Sequence, residues 1–186
     1  MDRFTSVFSR LAAIFDDVGI DYMVVGSVAA SVWGLRRTTV DLDLVVAIAP
    51  GLEATLIDAI LKDGLYLPVD LARSVVGTFG SFNVIDTKTS GKVDIFVSLF
   101  DDTLATLRLS RRIAVELFGV STWVASPEDI ILSKLEWHSS SDSERQWRDC
   151  FEVAAVNDLD LEYLRQWATK MGTIDEVERL LASLPD

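Results

Sequence analysis

Residues 24–46, VVGSVAASVWGLRRTTVDLDLVV, decide the fold of this chain. The stretch starts at the end of an apolar strand, turns at Gly26 and Ser27, and continues as a short helix. It ends in a second apolar run that carries Asp41 and Asp43, two aspartates separated by one residue. Buried strands rarely carry charge unless the charge is paired or binds a metal. The two carboxylates therefore need a partner.

The spacing of the two aspartates predicts that they share one face of the strand. Strand side chains alternate, so Asp41 and Asp43 point one way while Leu42 and Leu44 point into the core. Two carboxylates about 6 Å apart repel by roughly 3 kcal/mol at an effective dielectric constant of about 20. Protonation or a cation must offset this repulsion. Carboxylate oxygens are hard ligands that suit Mg²⁺ or Mn²⁺.

A third aspartate interrupts another β-branched run, residues 91–97, GKVDIFV. Asp94 faces away from Val93 and Ile95 in an extended strand. If this strand neighbours the one that carries Asp41 and Asp43, three acids converge on one face. Such a set can hold two metal ions about 4 Å apart, the arrangement used for phosphoryl or nucleotidyl transfer.

The Gly26-Ser27 turn leads from a strand into a helix. Free backbone N–H groups at such a turn can bind phosphate, and the Ser27 hydroxyl can add a hydrogen bond. Turns of this kind are common, and Ser27 also suits a simple helix N-cap. The turn predicts a phosphate site only in combination with the acids.

Outside this stretch, the pattern is mixed α/β up to residue 125 and helical afterwards. Ser126-Pro127-Glu128-Asp129 is typical of a helix start, with a Ser N-cap and Pro at the first helical position. We expect an α/β (α+β) fold in which a core of residues 1–125 has a small mixed sheet flanked by helices, and residues 126–186 form a helical C-terminal lobe. Ser-rich residues 139–143 are predicted to connect two helices. The predicted helices are 3–18, 28–33, 52–62, 127–138, 144–156, 160–171 and 173–183, and the predicted strands are 21–25, 41–48, 80–87, 92–98, 112–118 and 121–125.

Composition narrows the class of protein. The chain has 186 residues, 17 Lys and Arg against 29 Asp and Glu, and a net charge of -12. The C-terminal part is the more acidic, which argues against a broad duplex nucleic-acid surface. No apolar run reaches the roughly 18 residues of a membrane span. The N-terminus has no secretory pattern and Cys150 is the only cysteine, so we expect a cytoplasmic protein.

The combination of motifs resembles the polymerase-β-type nucleotidyltransferase superfamily. The resemblance rests on the Gly26-Ser27 turn, a short helix, Arg37-x-Thr39-x-Asp41-x-Asp43 and the later strand acid Asp94. It implies a nucleotidyltransferase-like fold, a metal site of Asp41, Asp43 and Asp94 that binds Mg²⁺ (or Mn²⁺), and a nucleotide site that includes Gly26, Ser27, Arg37 and Thr39.

A second resemblance covers Ser126 to Leu135, SPEDIILSKL, and Arg148-Asp149 on the next predicted helix. These residues look like the small prokaryotic branch that includes abortive-infection toxin nucleotidyltransferases. The resemblance implies that Lys134 and Asp149 complete the nucleotide site. It also implies an NTP donor, a tRNA, protein or small-molecule acceptor, and a possible cognate antitoxin. As alternatives, Lys134 lies on a solvated helix face, and Asp149 pairs with a nearby arginine.

The hypothesis from the sequence is metal-dependent nucleotidyl transfer. Asp41 and Asp43 would bind two metal ions, and Asp94 would bind one of them and help to deprotonate the acceptor. Three alternatives stay open: an edge strand with two solvated acids, a non-catalytic nucleotide- or partner-binding module with the same fold, and a phosphohydrolase that uses the same metals.

Overall fold

The computed structural model describes residues 3–36, 39, 41–78, 80–98 and 102–185. Within these ranges the chain forms nine helices and six strands. It divides into two compact units, one of Met1–Val28 with Thr39–Val124, and one of Ala29–Thr38 with Ala125–Asp186. No helix of the described part is long and apolar enough to cross a membrane.

The first unit contains one six-stranded mixed sheet with the spatial order β3-β4-β2-β1-β6-β5. Most of its strands alternate between buried aliphatic and less buried residues, the pattern of a sheet with one face in the core. The strand of residues 21–25 instead has three consecutive buried residues, and the strand of residues 113–117 has none. The strands are β1 Asp21–Val25, β2 Leu42–Ala47, β3 Gly80–Asp86, β4 Gly91–Ser98, β5 Ile113–Leu117 and β6 Val120–Val124.

The register of the central strands sets the position of the acids. β2 runs antiparallel to β1 and parallel to β4, and β4 runs antiparallel to β3. Val25 is the partner of Asp43, Asp43 is the partner of Asp94, and Asp94 is the partner of Asn83. These four residues form one row across four strands, and because they are register partners, their side chains share one face of the sheet.

Helices cover the apolar side of this sheet. α1 (Arg3–Val18) packs against β1, β3 and β4, and α3 (Glu53–Lys62) packs on α1. The core residues of β2 and β4 that point to the other side from the acids are fully or almost fully buried: Leu42, Leu44, Val93 and Ile95. Burying each such side chain contributes about 1.5–3 kcal/mol, which strongly fixes the face that each strand presents.

The second unit is helical. It contains α6 Pro127–Ser141, α7 Glu144–Ala154, α8 Leu161–Met171 and α9 Ile174–Ala182. Ser126 caps α6 by accepting a hydrogen bond from the Asp129 N–H at 3.2 Å, as its sequence predicts. The buried Tyr163 hydroxyl donates to Asp129 Oδ1 at 2.7 Å, which ties α8 to the start of α6. The predicted fold class, a mixed α/β fold with a helical C-terminal lobe, is confirmed.

Three local predictions were wrong or incomplete. α4 (Val69–Val75) and α5 (Thr103–Ser110) were not predicted, although Asp102 caps α5 by accepting from two backbone N–H groups. α2 covers Gly26–Val32 and begins directly at the glycine. The Ser-rich segment was predicted to connect two helices, but α6 continues through its serines to Ser141. The C-cap of α6 is Asp142, whose φ is 50°. Serine hydroxyls in this last turn bond back to the Trp137 carbonyl, which keeps them compatible with the helix.

Candidate active site

Asp43 and Asp94 lie side by side in the middle of the sheet. They are register partners on β2 and β4, and both are partly buried. Asp41 stands two residues before Asp43, just ahead of β2, and is exposed. From the sequence, we expected the three acids to converge if the strand of Asp94 neighbours the strand of Asp41 and Asp43. β4 and β2 are neighbours in the sheet, so this condition is met. The role of the three acids as site residues stays a prediction.

Gly26 lies against Asp43 because β1 ends directly beside β2. A Cβ built on Gly26 would be 2.3 Å from Asp43 Oδ2 and 3.2 Å from its Cγ, closer than non-bonded atoms approach. The φ of Gly26 is +64°, which also favours glycine. Both observations explain why glycine stands at this turn: a side chain would displace the carboxylate.

Among the described residues, Lys92 is a cation that the structure brings to Asp94. It lies two residues before Asp94 on β4, and its Nζ is 2.8 Å from Asp94 Oδ2. The hydrogen bond to Asp94 raises the pKa of the Lys92 ammonium above its usual value, and the negative charges of Asp94, Asp41 and Asp43 add to the rise against the opposing effect of desolvation. Lys92 therefore offsets part of the repulsion among the carboxylates.

The remaining predicted residues near the turn are placed as follows. The Thr39 hydroxyl is 3.3 Å from the Asp41 backbone N–H, which donates to it, and 3.4 Å from the Asp41 carbonyl oxygen. Thr39 thus orients the backbone of Asp41, while its predicted contact with nucleotide is untested. Ser27 is the second residue of α2. Arg37 lies outside the described residues.

In the second unit, Lys134 and Asp149 pair with each other. Lys134 Nζ donates to Asp149 Oδ2 at 2.7 Å and to Gln146 Oε1 at 3.1 Å. Their side chains are only 8% and 3% exposed, so the alternative of a solvated helix face for Lys134 is wrong. Asp149 has this buried lysine as a partner, which the alternative of pairing with a nearby arginine did not include. A nucleotide-binding role for the two residues stays a prediction.

The chemistry of the acids fits a hard divalent cation, since aspartate oxygens are the ligands that Mg²⁺ and Mn²⁺ prefer. Two of the carboxylates are adjacent, and one of them, that of Asp43, occupies the space that the missing side chain of Gly26 leaves. In the described part of the chain, however, no three His, Cys, Asp or Glu side chains are already grouped as metal ligands. Asp94 Oδ2 faces the Lys92 ammonium instead, so a metal ion bound at that oxygen would have to displace Lys92.

Sequence reasoning missed two polar residues of this face. Lys92 could have been found from the alternation of the strand, because residues 92 and 94 point the same way. Asn83 is exposed and is the register partner of Asp94 on β3. Its position depends on the register of the β3–β4 hairpin, which the Thr89-Ser90-Gly91 turn signal does not fix.

Comparison with known proteins gives the family. A family model described as "Nucleotidyltransferase of unknown function (DUF6036)" matches residues 2–180. The chain belongs to this family. It is a nucleotidyltransferase, as the combination of turn and acids predicted. A search of curated proteins found no match.

Two solved proteins share the fold of this nucleotidyltransferase. An antigenic nucleotidyltransferase-like protein from Paracoccidioides brasiliensis aligns with a TM-score of 0.56 and 19% identity, over 98% of this chain and 93% of that chain. ANT(2'')-Ia in complex with adenylyl-2''-tobramycin aligns with a TM-score of 0.61 and 13% identity, over 89% of this chain and 97% of that chain. At these identities the likeness extends to the fold alone.

Proposed function

We propose that this nucleotidyltransferase moves an NMP group from an NTP to a hydroxyl acceptor with the help of Mg²⁺ or Mn²⁺. The observation that carries the proposal is the β2–β4 register, in which Asp43 and Asp94 are partners beside the Gly26 turn. Two adjacent carboxylates repel each other, so their pairing on one sheet face does not by itself stabilise the domain. It suits a reaction in which charge develops on phosphate oxygens.

The proposal assigns a role to each predicted site residue from Gly26 to Asp94. Asp41, Asp43 and Asp94 would hold the metal ions, which neutralise the donor phosphates when bound. The backbone N–H groups at Gly26 and Ser27 would bind the β- and γ-phosphates, and Arg37 and Thr39 would support the nucleotide. Asp94 would accept the hydroxyl proton as the acceptor oxygen bonds to the α-phosphorus and the bond to pyrophosphate breaks.

Lys134 and Asp149 enter the proposal through the resemblance to the toxin branch. They are proposed as nucleotide contacts, and their mutual ion pair would orient both groups within the second unit. A buried lysine needs an opposite charge nearby, because an uncompensated buried charge is strongly destabilising. The pair therefore also has a structural explanation. Separate tests of stability and activity are therefore needed for these two residues.

The acceptor we propose to test first is a small molecule with free hydroxyl groups. ANT(2'')-Ia has been solved with adenylyl-2''-tobramycin, a nucleotidylated small molecule, on a similar fold. The net charge of -12 makes a broad nucleic-acid surface unfavourable. A tRNA or protein acceptor, and a cytoplasmic toxin held by a cognate antitoxin, are the further possibilities that the resemblance implies.

The test incubates the protein with each α-labelled NTP, Mg²⁺ or Mn²⁺, and separate small-molecule, tRNA and protein fractions of a cell extract. We expect pyrophosphate release and label in one fraction. Asp43→Asn should lower the rate at least about a hundredfold, because it removes a charge that the transition state requires. Asp58→Asn, the same change at an exposed position on α3, is the matched control and should leave the rate unchanged.

Other outcomes of this test identify the alternatives. Free phosphate or diphosphate without labelled acceptor indicates a phosphohydrolase. Equal background from wild type and Asp43→Asn across all fractions refutes the enzymatic proposal and leaves a binding module. For the toxin role, induced expression should slow growth, and the Asp43→Asn variant should not.

A further inference from the structure

Lys92 pairs with Asp94, one of the residues at which the proposed function requires a cation. Its ammonium is 2.8 Å from Asp94 Oδ2, on a strand whose Asp94 is the register partner of Asp43. A metal ion bound to the Asp94 carboxylate would therefore compete with this ammonium.

The Lys92 side chain can leave this position at little cost. It is 42% exposed, whereas the Asp94 side chain is 19% exposed, so the ammonium has direct access to solvent. An exposed lysine keeps its hydration when its ion pair opens, and such pairs contribute little to stability. The partner that stays in place is the short, more buried aspartate, which is the group a metal would bind.

We propose that Lys92 is a built-in counter-cation that holds Asp94 in the metal-free protein and gives way to the divalent ion. This inference rests on the proposed function, because it assumes that the acids bind a metal. It makes Lys92 a positioning residue that acts through Asp94. It sets how much metal the enzyme needs, since a positive charge beside a metal site lowers the affinity of that site for cations.

The experiment measures Mn²⁺ binding by the loss of the electron paramagnetic resonance signal of free Mn²⁺. Lys92→Met and Lys92→Gln remove the competing charge, and we expect them to bind Mn²⁺ about three- to tenfold more tightly than wild type. Lys92→Arg keeps the charge and should bind as wild type does. Lys88→Met, the same loss of charge at an exposed lysine of the β3–β4 turn, is the matched control and should also match wild type.

Thermal unfolding gives a second readout that does not depend on turnover. In EDTA, Lys92→Met should have a lower Tm than wild type because the carboxylates repel without their counter-cation. Mn²⁺ at the same saturating concentration should raise the Tm of Lys92→Met by more than it raises that of wild type, since the stabilisation by a ligand grows with the logarithm of its concentration divided by Kd.

Mn²⁺ affinity that is equal or weaker in Lys92→Met overturns the inference while leaving the proposed function intact. If Lys88→Met gains as much Mn²⁺ affinity as Lys92→Met, the inference is also overturned. The loss of any positive charge on the protein would then explain the tighter binding. If neither wild type nor any variant binds Mn²⁺, and no NTP is turned over, both the inference and the proposed function fail.

Discussion

Replacing Gly26 with alanine tests whether the turn after β1 sets the position of Asp43. The new Cβ would be 2.3 Å from Asp43 Oδ2, and ordinary contact begins at 3.4 Å, so the carboxylate must move by about 1 Å. Alanine at the positive φ of +64° costs about 1–2 kcal/mol. The overlap adds about 1–3 kcal/mol, the usual cost of overpacking. We expect Gly26→Ala to lower the free energy of unfolding by about 2–5 kcal/mol.

Gly119→Ala is the matched control for the backbone part of this cost. Gly119 has a similar φ of +76°, and a Cβ there would meet nothing within 4 Å. Its substitution should cost about 1–2 kcal/mol from backbone strain alone. Urea unfolding of both variants gives the difference between them, about 1–3 kcal/mol, as the effect of the overlap with Asp43.

Activity separates the two variants further. A shift of about 1 Å in a reacting group can cost about a hundredfold in rate. Gly26→Ala should therefore lose pyrophosphate release about a hundredfold, while Gly119→Ala stays near wild type under conditions where both are folded. Equal stability of the two variants together with normal turnover by Gly26→Ala would refute the reasoning, because Asp43 would then have room to adjust.

Two further predictions concern the second unit. Lys134→Met removes the ammonium that pairs with the buried Asp149 and should cost about 3–5 kcal/mol in urea unfolding, whereas the Lys134→Met/Asp149→Leu double variant should recover most of that loss. Arg165→Ala, which breaks an exposed pair with Glu178, is the control and should have a small effect; a loss for Lys134→Met no larger than this would contradict the prediction. Burial raises the pKa of the Cys150 thiol to about 12, so the folded protein should not react with a thiol reagent at pH 8 to 9, while the urea-unfolded chain should react fully. Rapid labelling of the folded protein would show that Cys150 is accessible.

The double variant also separates two roles for Lys134 and Asp149. If the pair is structural, restoring stability with two apolar residues restores turnover. If either group contacts nucleotide, the double variant folds but stays inactive, and the loss appears mainly in KM for the NTP. A stable, fully active double variant would remove both residues from the predicted nucleotide site.

The acids could be predicted from the sequence because strand periodicity is a local signal. Asp41, Asp43 and Asp94 each interrupt an apolar run, and alternation alone assigns their faces. The Gly26 turn is equally local. What periodicity cannot supply is the pairing of a particular residue with a residue on another strand, so Asn83 was missed. The Lys92–Asp94 ion pair needed a side-chain conformation as well as a strand face.

The helical part was harder to interpret for a different reason. α6 buries charged residues along with apolar ones, including Glu128, Asp129 and Lys134. A helix buried on most of its surface loses the amphipathic pattern from which exposure is inferred. From the sequence, Lys134 could therefore be a nucleotide contact or a residue on a solvated helix face. Its partner Asp149 on α7 explains why a lysine is buried there.

The site of the first unit depends on backbone register more than on side-chain packing. Because β2 and β4 are parallel partners along six consecutive residue pairs, the height of Asp43 relative to Asp94 is fixed by main-chain hydrogen bonds. A slip of β4 by one residue would turn Val93 and Ile95 out of the core and bury Asp94 in their place. That change exposes two aliphatic side chains, at about 1.5–3 kcal/mol each, and adds the cost of a buried charge. The same apolar residues that hold the sheet together therefore keep the two carboxylates adjacent, and a core substitution that leaves the register intact should lower stability before it alters the site.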